Sequence, residues 1–160
     1  MNVSATQKAA LSPDAELKLI ALDREGLQVI SAHTQDVCVK RSDMTFLPKH
    51  KRFALAGMRY DWARAEHGVE ERVGSVLCFD RVLKVAHLGL NDHSPEDVLN
   101  LLAVTFEKTE APSGMVFLSF ADGAIVRLEV ECLEVELRDV GPRAAACDCA
   151  GHALTRAATA

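Results

Sequence analysis

Residues Met115 to Leu137 read MVFLSFADGAIVRLEVECLEVEL, and this stretch decides the class of fold. Two apolar runs flank Asp122-Gly123, a dipeptide that accepts the left-handed backbone of a tight two-residue turn, so the flanks predict a β-hairpin. Past the turn, Val126, Leu128, Val130 and Cys132 alternate with Arg127, Glu129 and Glu131. A period of two buries one face of a strand and leaves the other in water. The apolar phase then slips by one residue to Leu133, Val135 and Leu137, which predicts a β-bulge near Cys132 in one long, bending strand. Val130, Leu133, Leu137 and Val140 also fit a helical stripe, so a terminal helix is the rival reading; the strand is adopted.

Working back from this hairpin, most of the chain reads as short extended segments. Val73 to Val85 is expected as one strand, with Val76 and Cys78 on one face and Leu77 and Phe79 on the other. Arg52 to Trp62 carries β-suited Phe53, Tyr60 and Trp62, and Phe46 to Phe53 is expected as a hairpin with Lys49 and Lys51 at its tip. Two helices interrupt the strands. Asp23 is placed to cap a helix running through Asp36, with Glu25 at its positive end and Leu27 and Ile30 on its apolar side. Ser94-Pro95-Glu96-Asp97 has the residues of a helix start, and a short helix is expected there before the period returns to two by Leu102, Val104 and Phe106.

The expected fold is therefore α+β: a strongly bent, mainly antiparallel sheet or partly closed barrel of about eight strands, with one N-terminal helix packed on it and a second short helix. Residues 1–15 and the alanine-rich residues 143–160 are expected as tails around a single domain at 16–142. With 160 residues and 49% of them hydrophobic, one core is affordable. No apolar run is long enough to cross a bilayer, and the polar mixture from Met1 to Ala15 is unlike a secretory signal, so a cytoplasmic protein without a membrane role is expected. Cys38, Cys78 and Cys132 each stand alone in apolar strands and are expected to be reduced.

Chemistry is harder to find. The chain has no G-x-S-x-G, no glycine-rich phosphate loop, no H-E-x-x-H and no C-x-x-C pair, so no catalytic residue, cofactor or metal ligand is assigned. Cys147, Cys149 and His152 are metal-ligand types, but three ligands in a tail lack a fourth, and His87 with His93 matches no standard spacing. The candidate binding residues are Lys49, His50, Lys51 and Arg52 on the basic hairpin, then Arg59, Tyr60, Asp61 and Trp62 on the strand that follows. Cations beside rings can hold phosphates and stack bases, whereas the same cations protect an exposed strand edge from aggregation. The net charge of −5 disfavours nucleic acid, and another protein is the expected partner. From Val37 to Ala65 seven basic side chains face two acidic ones, and from Asn91 to Val140 eleven acidic face three basic; either the surface is polarised or the two stretches pair across the sheet.

The runs Leu17 to Asp23, Leu47 to Phe53, Arg59 to Trp62 and Ile125 to Pro142 resemble an uncharacterised alphaproteobacterial family, domain-of-unknown-function family 2948. The resemblance covers nearly all of Leu17 to Pro142 and implies a short, cytoplasmic single-domain protein. It implies no catalytic residue, and the Cys147 to His152 stretch departs from the endings associated with that family. Function is expected to be non-catalytic binding or protein interaction. The alternatives are a small-metabolite binder or enzyme using Arg59 to Arg64, and a single-stranded nucleic-acid binder using Lys49 to Arg52.

Overall fold

The computed structural model describes residues 16–146. Its elements are β1 (Lys18–Ala21), α1 (Arg24–Thr34), β2 (Val37–Lys40), β3 (Met44–Leu47), β4 (Arg52–Tyr60), α2 (Trp62–Ala65), β5 (Glu71–Phe79), β6 (Val82–Leu88), β7 (Val98–Lys108), β8 (Gly114–Phe120), β9 (Ile125–Val130) and β10 (Val135–Ala145). All ten strands join one antiparallel sheet in the order β1-β10-β5-β4-β2-β7-β8-β9-β6, with β3 added beside β4. The sheet does not close. The expected α+β class holds, with ten strands in place of about eight.

Alternation along the strands divides two faces. Phe53 and Leu55 of β4, Leu77 and Phe79 of β5, Val116 and Leu118 of β8, Val126 and Leu128 of β9, and Val135 and Leu137 of β10 turn inward to one core. Helix α1 lies over the same interior and contributes Leu27 and Ile30. Its start is fixed by Asp23, whose Oδ1 accepts from the Gly26 amide at 2.7 Å. The helix ends at Thr34, two residues before the expected Asp36, which adopts a left-handed conformation at φ 66° and so cannot continue it.

Three boundaries differ from the sequence reading. The stretch from Val73 to Val85 is two strands, because Arg81 turns the chain at φ 62°; β5 then sits mid-sheet and β6 at its far edge. The stretch from Val126 to Leu137 is likewise two strands. Where a bulge was expected near Cys132, residues Glu131 to Glu134 leave the ladder and carry the chain from β8 and β6 to β1 and β5. The bulge lies later, between Asp139 and Arg143 in β10, and strand pairing resumes as far as Ala145, past the expected boundary at residue 142. Residues 130–140 contain no helix.

The second short helix is also elsewhere. Ser94 to Asp97 form a closed turn in which the Asp97 carboxylate accepts from the Ser94 amide and hydroxyl, and β7 begins at the next residue. The cap residues are present, but Leu99 and Leu101 need the inward side of a strand, and period-two burial overrides the local signal. The short helix instead follows β4 at Trp62, with Asp61 accepting from the Arg64 amide at 3.2 Å.

Among the described cysteines, Cys78 and Cys132 carry free thiols, and Cys78 is pushed up in pKa by burial. Cys38 was expected to be reduced, but it is disulfide-bonded. No helix among the described residues is long and apolar enough to cross a membrane.

Candidate functional site

The outer face of the sheet, opposite the core, carries a cavity of about 540 Å³. Its floor follows from alternation: Val37 and Val39 point to the core, so Cys38 and Lys40 of β2 point outward. By the same parity Ala56 and Met58 of β4 and Gly74 of β5 line the cavity. The bulge in β10 supplies the opposite wall through Val140, Gly141, Pro142 and Ala144. Gly74 makes this close approach possible, since a Cβ there would lie 2.3 Å from the Gly141 carbonyl oxygen. The lining is mainly apolar. Lys40 and Asp43 stand at one rim, and Arg72 closes one end by donating to the backbone oxygens of Asp36 at 2.7 Å, Met58 at 3.1 Å and Ala146 at 3.3 Å. Desolvation lowers the Arg72 pKa, the expected effect of tying a guanidinium to carbonyls inside protein.

The sequence offered one signal for this surface. Val-Cys-Val in β2 and Val-Gly-Ser-Val-Leu-Cys-Phe in β5 are apolar in both phases, a pattern of strands covered on both faces. The positions of Met58, Val140 and Ala144 around one hollow depend on strand order and on the bulge, which no local pattern contains.

The predicted site residues divide between two other places. On the hairpin, Lys51 pairs with Glu131 at 2.5 Å and Arg52 with Asp80 at 2.8 Å, while Lys49 and His50 are exposed. Half of the basic tip is thus neutralised within the chain. Lys40–Glu96 at 3.2 Å and Arg59–Asp139 at 2.7 Å likewise join the basic stretch to the acidic one, so the two pair across the fold.

Arg59 and Asp61 belong to a buried polar cluster at one end of the core. Asp139 accepts from Arg59 Nε and Nη2, from the Ser75 hydroxyl at 2.7 Å and from the Leu17 amide at 3.0 Å. Asp61 accepts from Arg143 at 2.8 Å, and Arg143 also faces Glu71 at 3.5 Å. Tyr60 and Trp62 meet edge to face with centroids 4.5 Å apart. Beside Trp62 a shallow hollow is bordered by Ala32, His33 and Gln35, and among the described residues the buried His33 Nδ1 has no hydrogen-bond partner.

The described residues contain no group of three or more metal-ligand side chains. His93 meets Asp122, and faces Asp97 at 3.5 Å, while His87 lines a separate crevice with Met44, Phe46 and Val85. The Cys147, Cys149 and His152 ligand types lie outside the described residues.

A ten-stranded antiparallel sheet with one helix packed on its inner face defines an α+β domain. The chain belongs to the family described as protein of unknown function, DUF2948, whose model matches residues 17–152. The match includes Cys147 to His152, which the sequence reading had set apart from the family. No curated protein and no solved structure matches the chain.

Proposed function

We propose that this is a non-catalytic binding domain whose receiving surface is the outer-face cavity, and that its ligand is an extended apolar segment of another polypeptide. The observation that carries the reading is the apolar, open cavity of about 540 Å³ across β2, β4, β5 and β10. Its size falls within the few-hundred to roughly 1,000 Å³ typical of ligand seats. The small residues Ala56, Gly57 and Gly74 in its floor allow a backbone to approach closely, and the open side suits a chain rather than an enclosed metabolite. Lys40 and Asp43 at the rim offer one donor and one acceptor to a peptide's polar groups. A cytoplasmic setting is part of the proposal, supported by the free thiols of Cys78 and Cys132.

Peptide display on the immobilised, reduced full chain tests this. Ala56 is exposed, so Ala56→Arg fills the cavity without touching the core. Selected apolar peptides are expected to lose about tenfold or more in affinity for that variant, a change of about 1.4 kcal/mol, while its melting temperature stays the same. Equal affinity for both proteins would remove the cavity from the account.

The hollow beside Trp62 favours a second reading, a small polar metabolite held by His33, because the buried Nδ1 has no partner among the described residues. A thermal-shift screen with anionic metabolites checks it; the absence of any shift that His33→Leu abolishes would end it.

A further inference from the structure

Strands β3 and β6 each present an edge without a ladder partner among the described residues, since β3 pairs only with β4 and β6 only with β9. The two strands run past one another in opposite directions and are joined at both ends. At the start of β6 the Val82 amide donates to the Lys51 carbonyl, just past β3, at 2.9 Å. At the other end Arg41 Nε, just before β3, donates to the Leu90 carbonyl, just past β6, also at 2.9 Å. Between these joints lies a crevice of about 230 Å³ in place of a ladder.

The lining follows from alternation and one irregularity. Val82 is buried in the core, and the register shift between Val82 and Lys84 resets the phase, so that Val85 packs inward and His87, two residues on, lines the crevice with it. Met44 and Phe46 of β3 form the opposite wall by the same period of two. The crevice reaches Phe53, Leu90 and Val126, which are buried, whereas His87 is exposed and Arg41 half-buried. It is therefore apolar at depth and polar at its mouth. Among the described residues no acidic side chain lines it. The bond to Leu90 holds the Arg41 guanidinium through Nε, and its two Nη groups, which have no acceptor among the described residues, are the paired donors that a planar carboxylate takes.

We infer that this crevice binds a small monocarboxylic acid carrying one apolar group, a ring or a short branched chain. The hydrocarbon part enters between Met44, Phe46 and Val85, and the carboxylate meets Arg41, with His87 as a second polar contact at the mouth. A larger or doubly charged anion fits neither a single fixed cation nor the volume, which is below the roughly 300 to 1,000 Å³ of drug-sized seats. The crevice shares no lining residue with the outer-face cavity, so the inference stands or falls apart from the peptide reading.

The probes are hydrocinnamate, its neutral analogue hydrocinnamide, and acetyl-alanyl-phenylalanine, each titrated to millimolar concentration into the isotope-labelled full chain and followed by amide chemical shifts. Hydrocinnamate is expected to give saturable shifts centred on Arg41, Val85, His87 and Leu90, and to bind about tenfold or more tightly than the amide, as a charge-assisted contact requires. Arg41→Gln keeps a donor for the Leu90 carbonyl but removes the charge, and is expected to bring that ratio to about one. The wild-type ratio is also expected to shrink as salt rises, which decides the same point without the variant. Equal affinity for acid and amide, or a preference that survives in Arg41→Gln, overturns the carboxylate contact. The absence of saturable shifts with hydrocinnamate, or shifts centred on Cys38, Met58 and Gly74, overturns the site. Shifts at the crevice from acetyl-alanyl-phenylalanine alone overturn the small acid in favour of a polypeptide terminus.

Discussion

Arg59 and Asp139 meet as a two-pronged ion pair inside the protein, with Nε to Oδ1 at 2.7 Å and Nη2 to Oδ2 at 2.8 Å, and with side chains only 4% and 1% exposed. Arg59 enters from β4 and Asp139 from β10, and Ser75 on the strand between them donates to the same carboxylate. The pair therefore fixes the order of three strands at one end of the core.

Removing one partner strands the other. Asp139→Ala is expected to destabilise the fold by about 3–5 kcal/mol, the usual cost of leaving a buried charge unpaired. Burial pushes the Asp139 pKa up, but hydrogen bonds from Arg59, Ser75 and the Leu17 amide outweigh it and hold the carboxyl below its ordinary value. A depressed folded pKa gives stability that is present above the unfolded value, near 3.9, and is lost as pH falls through the folded one. Urea denaturation from pH 5 down to pH 2 is expected to show this loss in the wild type and a flatter curve in Asp139→Asn.

His33 adds a separate limb nearer neutrality. Its pKa is lowered, first by burial and then by the positive charge of Arg59. The folded state thus takes up a proton less readily than the unfolded chain, so stability is full above the unfolded value near 6.5 and declines as pH falls below it. Denaturation midpoints measured from pH 8 to pH 5 should decline in the wild type, and His33→Leu should remove that slope.

Close packing at the bulge is brittle. In Gly74→Ala the new Cβ would stand 2.3 Å from the Gly141 carbonyl, and that oxygen is backbone, which can yield only if β10 moves. A loss of roughly 1–3 kcal/mol or more is expected from such overpacking, read as a lowered melting temperature. Gly68→Ala is the contrasting control for space, since nothing lies within 4 Å of its added Cβ, although φ +82° still strains it.

The cap of α1 is a local term. Asp23→Ala deletes the 2.7 Å acceptor for the Gly26 amide and is expected to cost about 1 kcal/mol. Asp23→Asn should recover most of that loss, and chemical denaturation of the three proteins measures both.

Where the chain's signals are local, they were legible. Asp23 as a cap, the hairpin at Asp122-Gly123 and the alternation of Val126 to Val130 all depend on a few neighbours, and each stands in the fold as expected. Breaks inside apolar runs were not legible, because Arg81 and the Glu131 to Glu134 crossover look like continued strand when only hydropathy is read. Ser94 to Asp97 failed in the other direction: a local helix signal yielded to the inward demand of Leu99 and Leu101. The cavity was hidden for a related reason, since Cys38, Met58, Gly74 and Val140 lie far apart in sequence and are gathered by strand order alone.

The most direct test of the binding reading is a map of amide chemical shifts on the uniformly labelled, reduced full chain titrated with a display-selected apolar peptide. The account predicts that the largest changes fall on Cys38, Lys40, Ala56, Met58, Gly74 and Val140, the walls of the outer-face cavity. Changes centred on Lys49 to Arg52 or on Arg59 to Trp62, with the cavity residues unmoved, would contradict it.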